Sequence, residues 1–252
     1  MNGLNFEHMN INFTITENCN FRCSYCIQGT NQNSQKILSL KLFELILNKI
    51  KLEAIDKNIK TIDITLMGGE LSTDFKFLKY FEKLTIFQST DLKIHVNFLT
   101  NFSGNILFFK HLDNMFDNQL TFDISIHPEY ITNNFLNKIN NFYCSVKNNI
   151  ILNQLYSKNL LMSAYDIEEK LNKNIKVNKI KIRTNGYIDN KNTDIRYCNA
   201  LYYLISPDGK ILDPCRNKKF NFVNFKIVKK IIECSKACPC PFLETEFVQI
   251  KK

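Results

Sequence analysis

From residue 10 to residue 183 the hydrophobic period of the chain changes repeatedly. Residues 10–16 alternate, with Ile11, Phe13 and Ile15 separated by polar positions, the period-two pattern of a half-buried strand. Residues 38–57 carry Leu42, Leu45, Ile46 and Ile50 at helical spacing. Residues 61–67 alternate again through Ile62, Ile64 and Leu66. The same reading predicts helices over 75–87, 106–116, 132–141 and 164–172, and strands over 93–99, 119–126, 144–152 and 179–183. Six strands alternating with helices predict a parallel sheet built from right-handed βαβ units. Curled on itself, such a sheet is a partial (β/α)6 TIM-like barrel, an α/β fold with its chemistry at the C-terminal strand ends.

The pattern shifts near residue 190, where Asp189, Asn190, Lys191 and Asn192 read as a linker or long turn. Beyond it, residues 201–206 and 210–212 flank Asp208-Gly209, a hairpin signal, and residues 225–232 read as a helix. The expected organisation is a barrel over 1–189 and a small hairpin-plus-helix domain over 190–252.

Composition narrows the class. The chain has 252 residues, 44% hydrophobic and 23% charged, enough to bury a core. No apolar run approaches the roughly 20 residues of a membrane span, and the start lacks a signal-peptide pattern, which argues against membrane and secreted classes. The formal charge of +9 reads as a solvated lysine surface or as attraction to an anionic partner. No basic block or aromatic-plus-basic motif is present, which argues against nucleic acid.

Nine cysteines are many for this length, and the odd count does not suit a disulfide framework. Cys19, Cys23 and Cys26 form a C-x3-C-x2-C loop directly after the first strand. Three thiolates on one short loop suit three corners of a [4Fe–4S] cube and leave one iron open. The alternative is a three-cysteine zinc site completed by His8 or His127. Met67-Gly68-Gly69-Glu70 follows the second strand; paired glycines permit close backbone approach, and the carboxylate could hold an ammonium group. Cys144 falls within a predicted strand and reads as a buried, inert thiol.

The cysteine loop, with Tyr25 as the aromatic before Cys26, and the Gly68-Gly69-Glu70 turn together resemble the radical S-adenosylmethionine (SAM) superfamily. The resemblance implies SAM bound to the open iron and a 5′-deoxyadenosyl radical that takes a hydrogen atom from substrate. It implies cofactor contacts at Tyr25, Gly68, Gly69, Glu70, Asn101 and Ser125. Thr100-Asn101 stands where the family often has Thr-Asn-Gly, with Phe102 in place of the glycine. His127 could contact substrate, relay a proton, or cap the turn before Pro128. Arg183 could pair with a carboxylate of SAM or substrate, or lie on the surface. A reductant such as flavodoxin or ferredoxin is implied as a partner.

The C-terminal piece resembles the SPASM/twitch extension, which carries auxiliary iron–sulfur clusters. Cys198, Cys215, Cys234, Cys238 and Cys240 are the candidate ligands, one more than a single [4Fe–4S] cluster needs. Two clusters would need more, so the shorter twitch form fits, and a structural zinc knuckle is the alternative. Two clusters in the whole chain would lower the formal charge to about +6. Three functions are expected in turn: small-molecule oxidation assisted by the auxiliary cluster, maturation of a ribosomal peptide, and a non-catalytic iron–sulfur or zinc protein that binds nucleic acid.

Overall fold

In the computed structural model the described residues are 6–26, 34–87, 92–156, 167, 169–181, 196–198, 201–216, 218–229 and 232–234. Six strands lie side by side in chain order, each parallel to the next: β1 (His8–Thr16), β2 (Thr61–Gly68), β3 (Lys93–Thr100), β4 (Leu120–Ile126), β5 (Asn149–Tyr156) and β6 (Val177–Lys181). Because spatial order follows chain order, right-handed crossovers place every connecting helix on one face. The helices are α1 (Leu40–Asp56), α2 (Leu78–Phe87), α3 (Ile106–Met115) and α4 (Asn133–Tyr143). Met9, Ile11, Phe13 and Ile15 of β1, and Leu120, Phe122, Ile124 and Ile126 of β4, are buried on the helix side.

Caps set where three of the helices start. Ser39, Asn105 and Thr132 accept from the backbone N–H of Leu42, Leu107 and Phe135, satisfying donors that a first turn leaves open. Between sheet and helices runs a chain of phenyl rings. Phe81 meets Phe98 edge-on at 5.1 Å, and Phe122 meets Phe142 edge-on at 5.2 Å. The opposite face of the sheet carries Asn12, Asp63, Thr65, Asn97, Asp123 and Ser125, all half-buried. A closed barrel fills that face with branched apolar side chains; here Met67, Leu99 and Ile151 share it with these polar residues.

The hairpin forms as read, from β8 (Leu201–Ile205) and β9 (Ile211–Asp213), with Gly209 at φ +77° in its turn. β10 (Lys218–Phe220) extends it. The hairpin joins the main sheet: β8 runs parallel to β1, from Met9 opposite Leu201 to Phe13 opposite Ile205. β7 (Arg196–Cys198) and β11 (Ile232–Cys234) form a separate two-stranded ladder. The expected boundary at 189/190 lies outside the described residues.

Two expectations change. Residues 225–229 are not helical: burial alternates at Phe225 and Ile227, Phe225 packs edge-on against Tyr203, and a strand follows at β11. The apolar residues there fit either period, and packing on the hairpin selects the extended one. Cys144 is not in a strand but caps the C-terminus of α4 and is exposed. The helical spacing of Leu136, Ile139 and Phe142 carries the helix onward, and β5 begins only at Asn149. Within 164–172, residues 164–166 and 168 lie outside the described residues, and 167, 169 and 170 are helical.

Candidate cofactor site at the strand ends

The cysteine loop leaves β1 at Thr16 and lies against the end of β2. Gly69 N–H donates to the Thr16 carbonyl at 2.7 Å, and Glu70 N–H donates to the Asn18 carbonyl at 3.0 Å. A Cβ on Gly69 would stand 1.7 Å from Asn18 O, and one on Gly68, at φ +142°, would stand 2.1 Å from Thr16 O. The close approach that these glycines permit is to the backbone of the cysteine loop itself.

Glu70 is buried and its carboxylate is fully engaged. Oε1 accepts from Ser72 N–H at 3.0 Å, Ser72 Oγ at 2.6 Å and Thr100 Oγ1 at 2.8 Å, and Oε2 accepts from Asn101 N–H at 2.6 Å. Burial raises its pKa, and these four bonds work against that rise. Glu70 thus fastens the end of β2 to the end of β3. Asn101 carries the link onward: its Nδ2 donates to Asn20 Oδ1 at 3.2 Å and lies 3.8 Å from Cys19 Sγ. Phe102 adopts φ +57°, the left-handed conformation that glycine takes without strain. Its buried ring contacts Phe109 at 4.3 Å, and Lys138 Nζ lies 4.6 Å above it while donating to the Phe102 carbonyl at 2.8 Å.

The segment after β4 closes over the loop from the other side. Tyr130 stacks on Phe21 at 3.9 Å, and its hydroxyl accepts from Arg22 N–H at 2.7 Å. Ser24 Oγ donates to Glu129 at 2.6 Å. His127 Nδ1 lies 3.3 Å from Cys23 Sγ and 3.1 Å from the Tyr25 hydroxyl. Its side chain makes no cap to the turn at Pro128–Tyr130, so the capping role does not form. Burial pushes the Cys23 thiol up to about 11 and holds His127 down at about 4; it also raises Cys19 and Tyr25. Thiolates in this pocket need a cationic partner, and the iron of a cluster is one. Among the described residues no three His, Cys, Asp or Glu side chains converge as one zinc ion would require. The thiolates of a [4Fe–4S] cluster bind separate irons at its corners and so stand further apart than the ligands of one ion.

Ser125 is the penultimate residue of β4, on the face away from the helices, opposite Asn153 in register. Arg183, Cys238 and Cys240 lie outside the described residues. Cys198 sits opposite Ile232 and Cys234 opposite Arg196, two register positions apart in one ladder. Cys215 lies in the turn after β9, where Arg216 and Asp213 form a buried ion pair at 3.1 Å. Sequence reading missed Glu129 and Tyr130, whose partners Ser24 and Arg22 lie 105 and 108 positions away, and Ser72, which donates to Glu70 from two residues on. It also missed Asp123, although that residue shares a face with Ser125 at period two.

No protein-family model matches the chain, and no curated protein does. Solved structures match. Native anSMEcpe with bound AdoMet superposes with a TM-score of 0.64 at 14% identity, over 86% of this chain and 79% of that one. Its polyhistidine-tagged form with bound AdoMet gives 0.55 at 17% identity, over 73% and 52%. Native anSMEcpe with bound AdoMet and Kp18Cys peptide gives 0.56 at 18% identity, over 73% and 54%. In the last two the chain spans about half the length of the protein it matches. No described helix is long and apolar enough to cross a membrane. At these identities the likeness is one of fold: this chain shares the fold of anSMEcpe.

Proposed function

We propose that the chain is a radical SAM enzyme in which Cys19, Cys23 and Cys26 hold a [4Fe–4S] cluster with one open iron. One observation carries this: a three-thiol loop at the end of β1 is seated on Gly68-Gly69, which only residues without a Cβ could occupy. When bound, the cluster supplies the electron that splits SAM into methionine and a 5′-deoxyadenosyl radical, the hydrogen-abstracting species. The chain's own residues position and shield. Glu70, Thr100 and Asn101 hold the loop in place. Phe21, Tyr130 and Glu129 cover it from the β4 side. The sheet face bearing Asn97, Asp123 and Ser125 offers hydrogen bonds to a hydrophilic substrate. Arg183 remains a proposed carboxylate partner.

The substrate reading is oxidation of a small molecule, with an auxiliary [4Fe–4S] cluster as electron acceptor. Its proposed ligands are Cys198, Cys215, Cys234 and one of Cys238 and Cys240. The β7–β11 ladder supports Cys198 and Cys234, and the Asp213–Arg216 pair supports a fixed Cys215. On this reading residues 190–252 form the auxiliary piece, docked through β8. A peptide substrate is the second reading, favoured by the structural match that carries a bound peptide. Flavodoxin or ferredoxin in a reducing cytoplasm would supply electrons.

The test is anaerobic reconstitution with iron and sulfide, then SAM and dithionite. Release of 5′-deoxyadenosine is expected, with loss in Cys23→Ala. Iron-loaded protein that leaves SAM intact would overturn the proposal.

A further inference from the structure

His127 is placed as no ordinary turn residue is. It follows β4 directly, its backbone carbonyl accepts from Tyr130 N–H at 2.9 Å, and its side chain makes no cap. The half-buried imidazole instead turns to the cysteine loop. Tyr25 lies parallel to it at 6.0 Å and Phe21 meets it edge-on at 5.8 Å. Between those rings Nδ1 reaches the Cys23 sulfur at 3.3 Å, within the range of a hydrogen bond to sulfur. The Tyr25 hydroxyl, 3.1 Å from Nδ1, also hydrogen-bonds the Cys23 thiol, so with Nδ1 protonated two donors face the sulfur, and the Glu129 carboxylate lies nearby.

We propose that His127 tunes the cluster rather than touching substrate: its Nδ1–H donates to the Cys23 sulfur and raises the reduction potential of a cluster bound there. The inference rests on the proposal that Cys19, Cys23 and Cys26 hold that cluster. The physics is electrostatic. When the cluster core takes one electron, from 2+ to 1+, negative charge grows on its sulfurs. An N–H dipole aimed at a ligating sulfur stabilises the reduced form more than the oxidised one, and hydrogen bonds to sulfur are a recognised control on cluster potential. The surrounding rings exclude water that would otherwise compete for the sulfur and weaken the effect. His127 is therefore a positioning residue. Its conservative replacement is asparagine, whose Nδ2 can stand near the position of Nδ1. The amide nitrogen of glutamine lies further out, where Nε2 stands.

The experiment is a redox titration of the full reconstituted chain, followed by electron paramagnetic resonance. The signal read is the one that shifts when SAM is added, which isolates the open-site cluster from any second one. His127→Ala and His127→Gln are expected to make reduction about tenfold less favourable, which is a 59 mV more negative potential for a one-electron couple. His127→Asn should stay within about threefold of the wild type. Equal potentials in the wild type, His127→Ala and His127→Gln would overturn the inference. So would a shift in His127→Asn as large as in His127→Ala, since the ring would then act only as filler. If His127→Ala fails to load iron, His127→Gln, close to histidine in volume, decides. A wild-type chain that assembles no SAM-responsive cluster defeats the underlying reading instead, so the two failures are distinguishable.

Discussion

Replacing Phe102 by alanine and by glycine separates side-chain packing from backbone conformation. Phe102 sits at φ +57° with its ring buried against Phe109 and Phe142. Removing the ring costs about 3–5 kcal/mol by transfer and cavity formation. Both variants lose that, along with the Lys138 contact over the ring. They differ in the backbone. Alanine keeps the left-handed strain of about 1–2 kcal/mol, whereas glycine relieves it. Glycine loses about 0.5–1 kcal/mol through its freer unfolded chain. The net expectation is Phe102→Gly more stable than Phe102→Ala, by up to about 1.5 kcal/mol. Phe81 in α2, equally buried, is the control, because in a helix glycine falls below alanine by about 1 kcal/mol. The assay is anaerobic urea unfolding of the cluster-free chain, comparing midpoints at constant slope. If glycine ranks below alanine at both positions, the backbone argument is wrong.

Gly69→Ala should leave the sheet folded but displace the loop, since the added Cβ would meet Asn18 O at 1.7 Å; circular dichroism should hold while iron loading falls. Asp123 is raised to about 6 by burial, so the folded state is favoured when it is protonated and loses stability as pH rises from about 4 through about 6. Asp123→Asn should therefore gain up to about 2–3 kcal/mol over the wild type at pH 8 and nothing at pH 4, read from unfolding midpoints. Asp213→Ala leaves Arg216 buried without its carboxylate and should cost about 3–5 kcal/mol. Iron lost from the auxiliary site alone, with SAM cleavage retained, is the expected accompaniment; equal loss from both sites would contradict the division of ligands.

What could be read from the sequence was what is local. The alternation of Ile11, Phe13 and Ile15, and of Ile62, Ile64 and Leu66, located β1 and β2, because a strand buried on one face must repeat at two. The cysteine spacing and the Gly68-Gly69 pair lie within a few residues of each other along their own segments. The contacts that shape the site do not. Arg22 meets Tyr130 across 108 positions, and Thr100 meets Glu70 across 30. No spacing rule joins such pairs. Residues 225–229 misled because Phe225, Ile227 and Val228 satisfy two periods, and the choice was made by Tyr203 on a different strand. Phe102 shows the converse. A phenylalanine holds a conformation suited to glycine because Phe109, Phe142 and Lys138 gather around its ring.

The central claim is that one iron of the first cluster has no cysteine and takes SAM. Mössbauer spectroscopy of the chain enriched in iron-57, with Cys198 and Cys215 replaced by alanine, reads this directly. With one cluster present, adding SAM should move the spectrum of roughly one iron in four and leave the others in place. A spectrum that does not change with SAM, or a first loop that retains zinc in place of iron, would contradict the account.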